Sequence, residues 1–132
     1  HGLKFAILRY FNVAGADPRL RTGLRTENAT HLIKVASEVA AGARPVLDIF
    51  GTDYATPDGT CIRDYVQVSH LAVSHVAALD LLRKGGGSNA YNLGYADGVS
   101  VRVVEGAMRA VSAGRGISAT SSATMRQASV PI

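Results

Sequence analysis

Short apolar runs alternate along this chain with polar stretches rich in Gly, Pro, Asp and Asn. Lys4–Tyr10 is brief, apolar and followed by Asn, Gly and Asp-Pro turn chemistry, which predicts a buried strand of the kind found in parallel sheets covered on both faces. Ala16–Glu27 reads as a polar loop with two glycine-containing turns. Asn28 or Thr30 is placed to cap a helix whose apolar positions include Leu32, Val35, Ala36 and Val39, with Gly42 as its stop. Val46–Phe50 predicts a short strand, Gly51–Gly59 a loop dense in Thr, Asp, Pro and Gly, and Ile62–Val68 a strand. Ser69 is the expected cap of a helix running to about Lys84, with Leu71, Ala72, Val76, Leu79 and Leu82 on its apolar face. Arg83 and Lys84 suit the negative end of the helix dipole, and Gly85-Gly86-Gly87 ends the helix. Ala90–Leu93 predicts a short strand running into Gly94, and Ser100 the cap of a third helix with Val101, Val104, Met108 and Val111 at spacings of three and four. From Gly114 the pattern fades, and Ile117–Ile132 is rich in Ser, Thr and Ala without clear periodicity. The order of strands and helices is that of an α/β protein.

Composition narrows the function classes. A chain of 132 residues with 47% apolar residues can supply one modest core. No apolar run approaches the ~20 residues of a membrane span. The chain opens without Met, and its first apolar run is too short for a signal peptide. The single cysteine, Cys61, excludes an internal disulfide framework and reads as a small packed residue. Net charge is +4, but only Arg19, Arg21 and Arg25 cluster, so no basic stripe for nucleic acid is present. His31, His70 and His75 lack the companions and spacing of a metal site. An opening strand with no evident neighbour is the first hint of truncation.

On the residues alone, Tyr10 and Phe11 finish a strand and Asn12 caps a turn. His31 stands near a helix start, where unpaired amides and the positive end of the dipole suit phosphate; it is otherwise a capping or surface residue. Leu47 belongs either to a core or to a ligand-facing strand. Arg63, a charge inside a strand-like segment, needs a partner if buried: a diphosphate, or a carboxylate such as Asp64.

Several segments, in order, carry a resemblance. Leu8-Arg9-Tyr10-Phe11-Asn12-Val13-Ala14-Gly15-Ala16 and Thr30-His31-Leu32-Ile33 come first. The long stretch Ile49–Val68 follows, including Asp53-Tyr54-Ala55-Thr56-Pro57-Asp58-Gly59-Thr60 and Arg63-Asp64-Tyr65. Tyr91-Asn92-Leu93-Gly94 and Gly98-Val99-Ser100-Val101 complete the set. These resemble the motifs of UDP-glucose 4-epimerases over most of the chain, from about Leu3 to Gly116. The Arg-Asp-Tyr triplet is shared with related sugar-nucleotide dehydratases and decarboxylases, whereas the stretch before it narrows the match to 4-epimerases.

The resemblance implies the C-terminal part of an NAD-binding Rossmann fold plus a small substrate-binding domain, truncated at both ends. Residues 1–15 would be the last portion of the NAD-binding domain. Residues 16–132 would mostly bind the UDP-sugar, with 60–85 returning to the Rossmann core. It further implies that Tyr10 and Phe11 lie near the nicotinamide of NAD. Asn12 would contact the phosphate or sugar, and His31 and Leu32 the diphosphate and ribose. Leu47, Asp48 and Phe50 would flank the uracil, and Arg63 would pair with the diphosphate. The expected partners are a UDP-sugar and, in the full-length enzyme, a second copy in a homodimer; the expected location is cytoplasmic. The tail departs from the family. Arg126 can be laid on the second phosphate arginine, but Met125, Ala128 and Ser129 stand where another Arg, Gly and Asp are usual, and Gln67 replaces a His.

No tyrosine has a lysine four residues later, and Gly85-Gly86-Gly87 follows a helix rather than a strand, so it is not a dinucleotide loop. No catalytic residue is assigned, and the chain alone is expected to be inactive and poorly soluble. The alternatives are an NAD-dependent dehydratase or decarboxylase, a non-catalytic UDP-binding module and, weakest, a nucleic-acid-binding domain.

Overall fold

The computed structural model describes residues 2–112 and 118–122. Its elements run β1 (Ala6–Tyr10), β2 (Asn12–Ala14), α1 (Leu32–Ala40), β3 (Val46–Phe50), β4 (Ile62–Arg63) and β5 (Tyr65–Gln67). They continue with α2 (Val68–Arg83), β6 (Asn89–Leu93), β7 (Val99–Ser100), α3 (Val101–Val111) and β8 (Ser118–Ser122). The chain divides into two compact units, one made of 1–25 with 63–98, the other of 26–62 with 99–132.

In the first unit β1 pairs in parallel with β6, from Ala6 opposite Asn89 to Tyr10 opposite Leu93. The opening strand therefore does have a neighbour, far along the sequence, as parallel pairing requires. β2 pairs in parallel with β5, Asn12 standing opposite Tyr65. The expected single strand at 62–68 is broken at Asp64, and helix α2 begins two residues earlier than a Ser69 cap would set it. Gln67, not Ser69, is the cap: its Oε1 accepts from the Ser69 and His70 amides. α2 lies against β1, β2 and β5 and buries Leu71. Val76 and Leu79 of its expected apolar face stay exposed, as do Phe5 and Ile7 of the strand expected to be buried. Among the described residues of this unit no element covers them.

In the second unit Ala36 and Val39 of α1 and Leu47 of β3 form a buried cluster, with Leu32, Val35, Ala40 and Met108 packed around it. Helix α1 starts later than Asn28 or Thr30 would place it. His31 is its N-cap, without a side-chain capping bond, while Asn28 sits at φ +55°. Ser100 caps α3 as expected, its Oγ accepting from the Val103 amide at 3.2 Å. The stretch without clear periodicity contains β8, which pairs in parallel with β3, Leu47 opposite Ala119.

Candidate functional site

The first unit gathers its candidate residues where strands end. Between β1 and β2 the chain changes partner at Phe11, passing from the β6 pair to the β5 pair. That exchange turns Phe11 outward, 74% exposed, beside Tyr10 at 43%. The Tyr10 ring meets His75 of α2 edge-on, with centroids 6.1 Å apart. His75 is itself held by a 2.8 Å bond between Nδ1 and the Leu71 carbonyl. Asn12 is half-buried, and both its main-chain amide (3.3 Å) and its Nδ2 (3.2 Å) donate to the carbonyl of Asp64. Arg63, immediately before Asp64, is exposed. The pairing of Arg63 with Asp64 entertained from sequence does not form; Asp64 Oδ1 instead accepts from the Tyr95 amide at 3.2 Å. Tyr95 OH is hydrogen-bonded to Nδ1 of His70, the two rings standing edge to face. Tyr10, Phe11, Asn12, Asp64 and Tyr95 thus lie at or beside the carboxyl ends of a parallel pair, the side on which ligands bind in α/β sheets.

Nearby, an open cavity of about 510 Å³ is lined by Asp17, Arg21, Thr22, Val68, Ser69 and Ala72. None of the candidate binding residues named from sequence lines it. Arg21 is committed to Asp17 through two hydrogen bonds and holds that carboxyl below its usual range.

The second unit carries the other candidates. His31 is exposed and Leu32 half-buried at the start of α1, whose first turn holds no acidic residue to occupy its amides. On β3, Asp48 is exposed and Phe50 is 65% exposed, whereas the Leu47 side chain lies in the core at 2%. A contact from Leu47 to a ligand would therefore run through its main chain. Arg126 lies outside the described residues.

After β3 the loop is knotted rather than slack. Thr60, fully buried, donates to Asp58 Oδ1 through its amide (2.9 Å) and its hydroxyl (2.7 Å). The Ser100 hydroxyl donates to Asp58 Oδ2. These bonds, Ser100 first and Thr60 second, hold the Asp58 carboxyl below its ordinary range. Asp58 and Asp64 both lie inside the quoted motifs, but nothing in the sequence marks either as an anchor. Their partners, Ser100 and Tyr95, are too distant in sequence for spacing to reveal.

A family model for the NAD dependent epimerase/dehydratase family matches residues 1–94. The chain belongs to this family. The UDP-glucose 4-epimerase of Azospirillum brasilense is 63% identical to it over 112 residues, 85% of this chain and 32% of that protein. The crystal structure of UDP-glucose 4-epimerase from Brucella ovis in complex with NAD matches at TM-score 0.85 and 42% identity, covering 98% of this chain and 39% of that one. The enzyme from Bifidobacterium longum, in complex with NAD+ and UDP, matches at TM-score 0.83 and 36% identity, covering 91% and 36%. This member of the family therefore spans about a third of the length of these relatives. The α/β class read from the element order and the Rossmann-type architecture implied by the resemblance both hold. Among the described residues no helix is long and apolar enough to cross a membrane.

Proposed function

We propose that this chain forms the UDP-sugar-binding side of an NAD-dependent UDP-glucose/UDP-galactose 4-epimerase, which inverts C4 by way of a transient 4-keto sugar. The observation that carries the reading is the strand-end cluster, where exposed Tyr10 and Phe11 adjoin Asn12 and, across Asp64, Arg63. Tyr10 and Phe11 present accessible aromatic surface that fits a nicotinamide. When bound there, NAD would supply a hydride acceptor and donor for C4 of the sugar. The residues of this chain bind and orient the sugar nucleotide. The Arg63 fork matches diphosphate oxygens, Asn12 offers an amide to phosphate or sugar, and the uncapped first turn of α1 at His31 and Leu32 suits an anion. Phe50 offers a face to the uracil, while the β3 main chain at Leu47 and Asp48 reads its edge. Arg126 serves as the second diphosphate cation. In this reading residues 1–15 and 60–85 belong to the cofactor-binding core and most of 16–132 to the substrate region, within a cytoplasmic homodimer.

The first test is the open reading frame upstream of His1, followed by an assay of its product with UDP-galactose and NAD. A Gly-x-x-Gly-x-x-Gly turn after a strand, a Tyr-x-x-x-Lys pair and conversion to UDP-glucose are the expected results. Replacing Arg63 by Ala should then raise KM for UDP-galactose about tenfold or more, the weight of a charge-assisted bond. UDP binding without NAD dependence and without turnover would instead make the chain a non-catalytic UDP-binding module. An acid pair in the catalytic neighbourhood would point to a dehydratase.

A further inference from the structure

Asp64 joins three segments that sequence keeps far apart. Its carbonyl takes both the amide and the side chain of Asn12, the first residue of β2. Its carboxylate takes the amide of Tyr95, just past the end of β6. Its own main chain separates β4 from β5 and carries Arg63 on one side. The fit is close. A Cβ at residue 94 would fall 2.0 Å from Asp64 Oδ2 and 3.0 Å from its Cγ, well inside any real contact. Gly94 is not among the glycines with positive φ, so no unusual backbone angle demands it. The carboxylate of Asp64 does, because it occupies the space that any side chain would need.

One Nδ2 hydrogen of Asn12 is spent on the Asp64 carbonyl, which orients the amide plane and leaves Oδ1 and the second hydrogen for a ligand. We propose that Asp64 is a positioning residue of the substrate site: its carboxylate, admitted by Gly94 and fastened to Tyr95, holds the main chain that orients Asn12 and carries Arg63. The proposal rests on the reading that Asn12 and Arg63 bind the sugar nucleotide. It assigns to Asp64 no contact with substrate and no proton to move.

The experiment uses the complete open-reading-frame product, assayed with UDP-galactose and NAD, with the melting temperature of every variant measured alongside. Asp64→Ala should raise KM about tenfold, equivalent to one lost hydrogen bond of ordinary strength, with a smaller effect on kcat. Asp64→Asn keeps an acceptor for the Tyr95 amide and should bring KM back to within about threefold of wild type. Gly94→Ala should reproduce Asp64→Ala, and the double variant should be no worse than either alone, since both displace the same carboxylate. In an Asn12→Ala background most of the effect of Asp64→Ala on KM should vanish. A wild-type protein that neither binds UDP nor converts UDP-galactose would overturn the functional reading and this proposal with it. An active wild type would overturn this proposal alone under either of two results. One is an unchanged KM in Asp64→Ala with only a lowered melting temperature. The other is an effect that adds fully to that of Asn12→Ala.

Discussion

Alternation along β3 turns Leu47 and Ile49 inward and leaves Asp48 and Phe50 outside, so neighbouring positions of one short strand have different work. Leu47, packed with Ala36 and Val39, is a core side chain. Its replacement by Ala should destabilise the protein by about 2–4 kcal/mol, read as a lower urea midpoint at unchanged slope. Phe50→Ala should change stability by much less than Leu47→Ala, by about 1 kcal/mol or less, because most of the ring is exposed and little packing is lost. If the ring stacks on the uracil, the same change should weaken UDP binding about fivefold, measurable by calorimetry. Gly59 is the residue in the following loop that tolerates least. It sits at φ +76°, and a Cβ there would come 2.3 Å from the Thr52 carbonyl oxygen. Gly59→Ala should therefore cost about 1–3 kcal/mol, checked by the same denaturation experiment.

At the scale of elements, Asp58 ties the loop after β3 to the start of α3. The Ser100 hydroxyl both donates to Asp58 and accepts from the Val103 amide, so it is a helix cap and a loop anchor together. Ser100→Ala should cost about 1 kcal/mol for the cap. The Asp58 carboxyl is held below its usual range in the folded state, chiefly by Ser100 and then by Thr60. The unfolded chain therefore takes up a proton at higher pH than the folded one does. The stabilisation is fully present above about pH 4 and is lost as pH falls through the lowered folded value. Melting temperature followed from pH 6 downward should show this acid loss in the wild type and a shallower one in Asp58→Asn.

The cap at Ser100 was legible because its acceptor and donor lie in the same turn. The knot it forms with Asp58 was not, because nothing in a sequence of 132 residues marks which distant hydroxyl a carboxylate will meet. The same difference explains β8. Ser118–Ser122 has no apolar alternation of its own and becomes a strand by pairing with the main chain of β3. Gln67 rather than Ser69 caps α2 because it stands just before the first turn and its longer side chain reaches forward to the amides two and three residues on. Of the proposed site, Tyr10, Phe11, Asn12 and Arg63 are named by the family's motifs alone, whereas the Asp64 clip beneath Asn12 depends on tertiary approach.

For the molecule as a whole, the weightiest feature is how much apolar surface the first unit leaves open. Leu3, Phe5 and Ile7 beside or on β1, then Phe11 and Val13, are exposed, as are Val73, Val76 and Leu79 on α2. On α2 these last three recur at the three-residue spacing of a buried helical face, and β1 has only β6 as a sheet partner among the described residues. Open strand edges and contiguous apolar faces of this kind drive association between chains. The 132-residue chain by itself should therefore bind a hydrophobic dye such as ANS strongly and run as a polydisperse, self-associated species in light scattering. It should also leave UDP-galactose unchanged, since none of its tyrosines is followed four residues on by a lysine. The product of the complete open reading frame should bind far less dye and run as one defined species, if the added residues cover β1 and α2. Changing Val73 and Val76 to Lys separates the causes: it should reduce association of the isolated chain and lower the stability of the longer protein. A monodisperse 132-residue monomer with a cooperative thermal transition would show that this surface needs no cover.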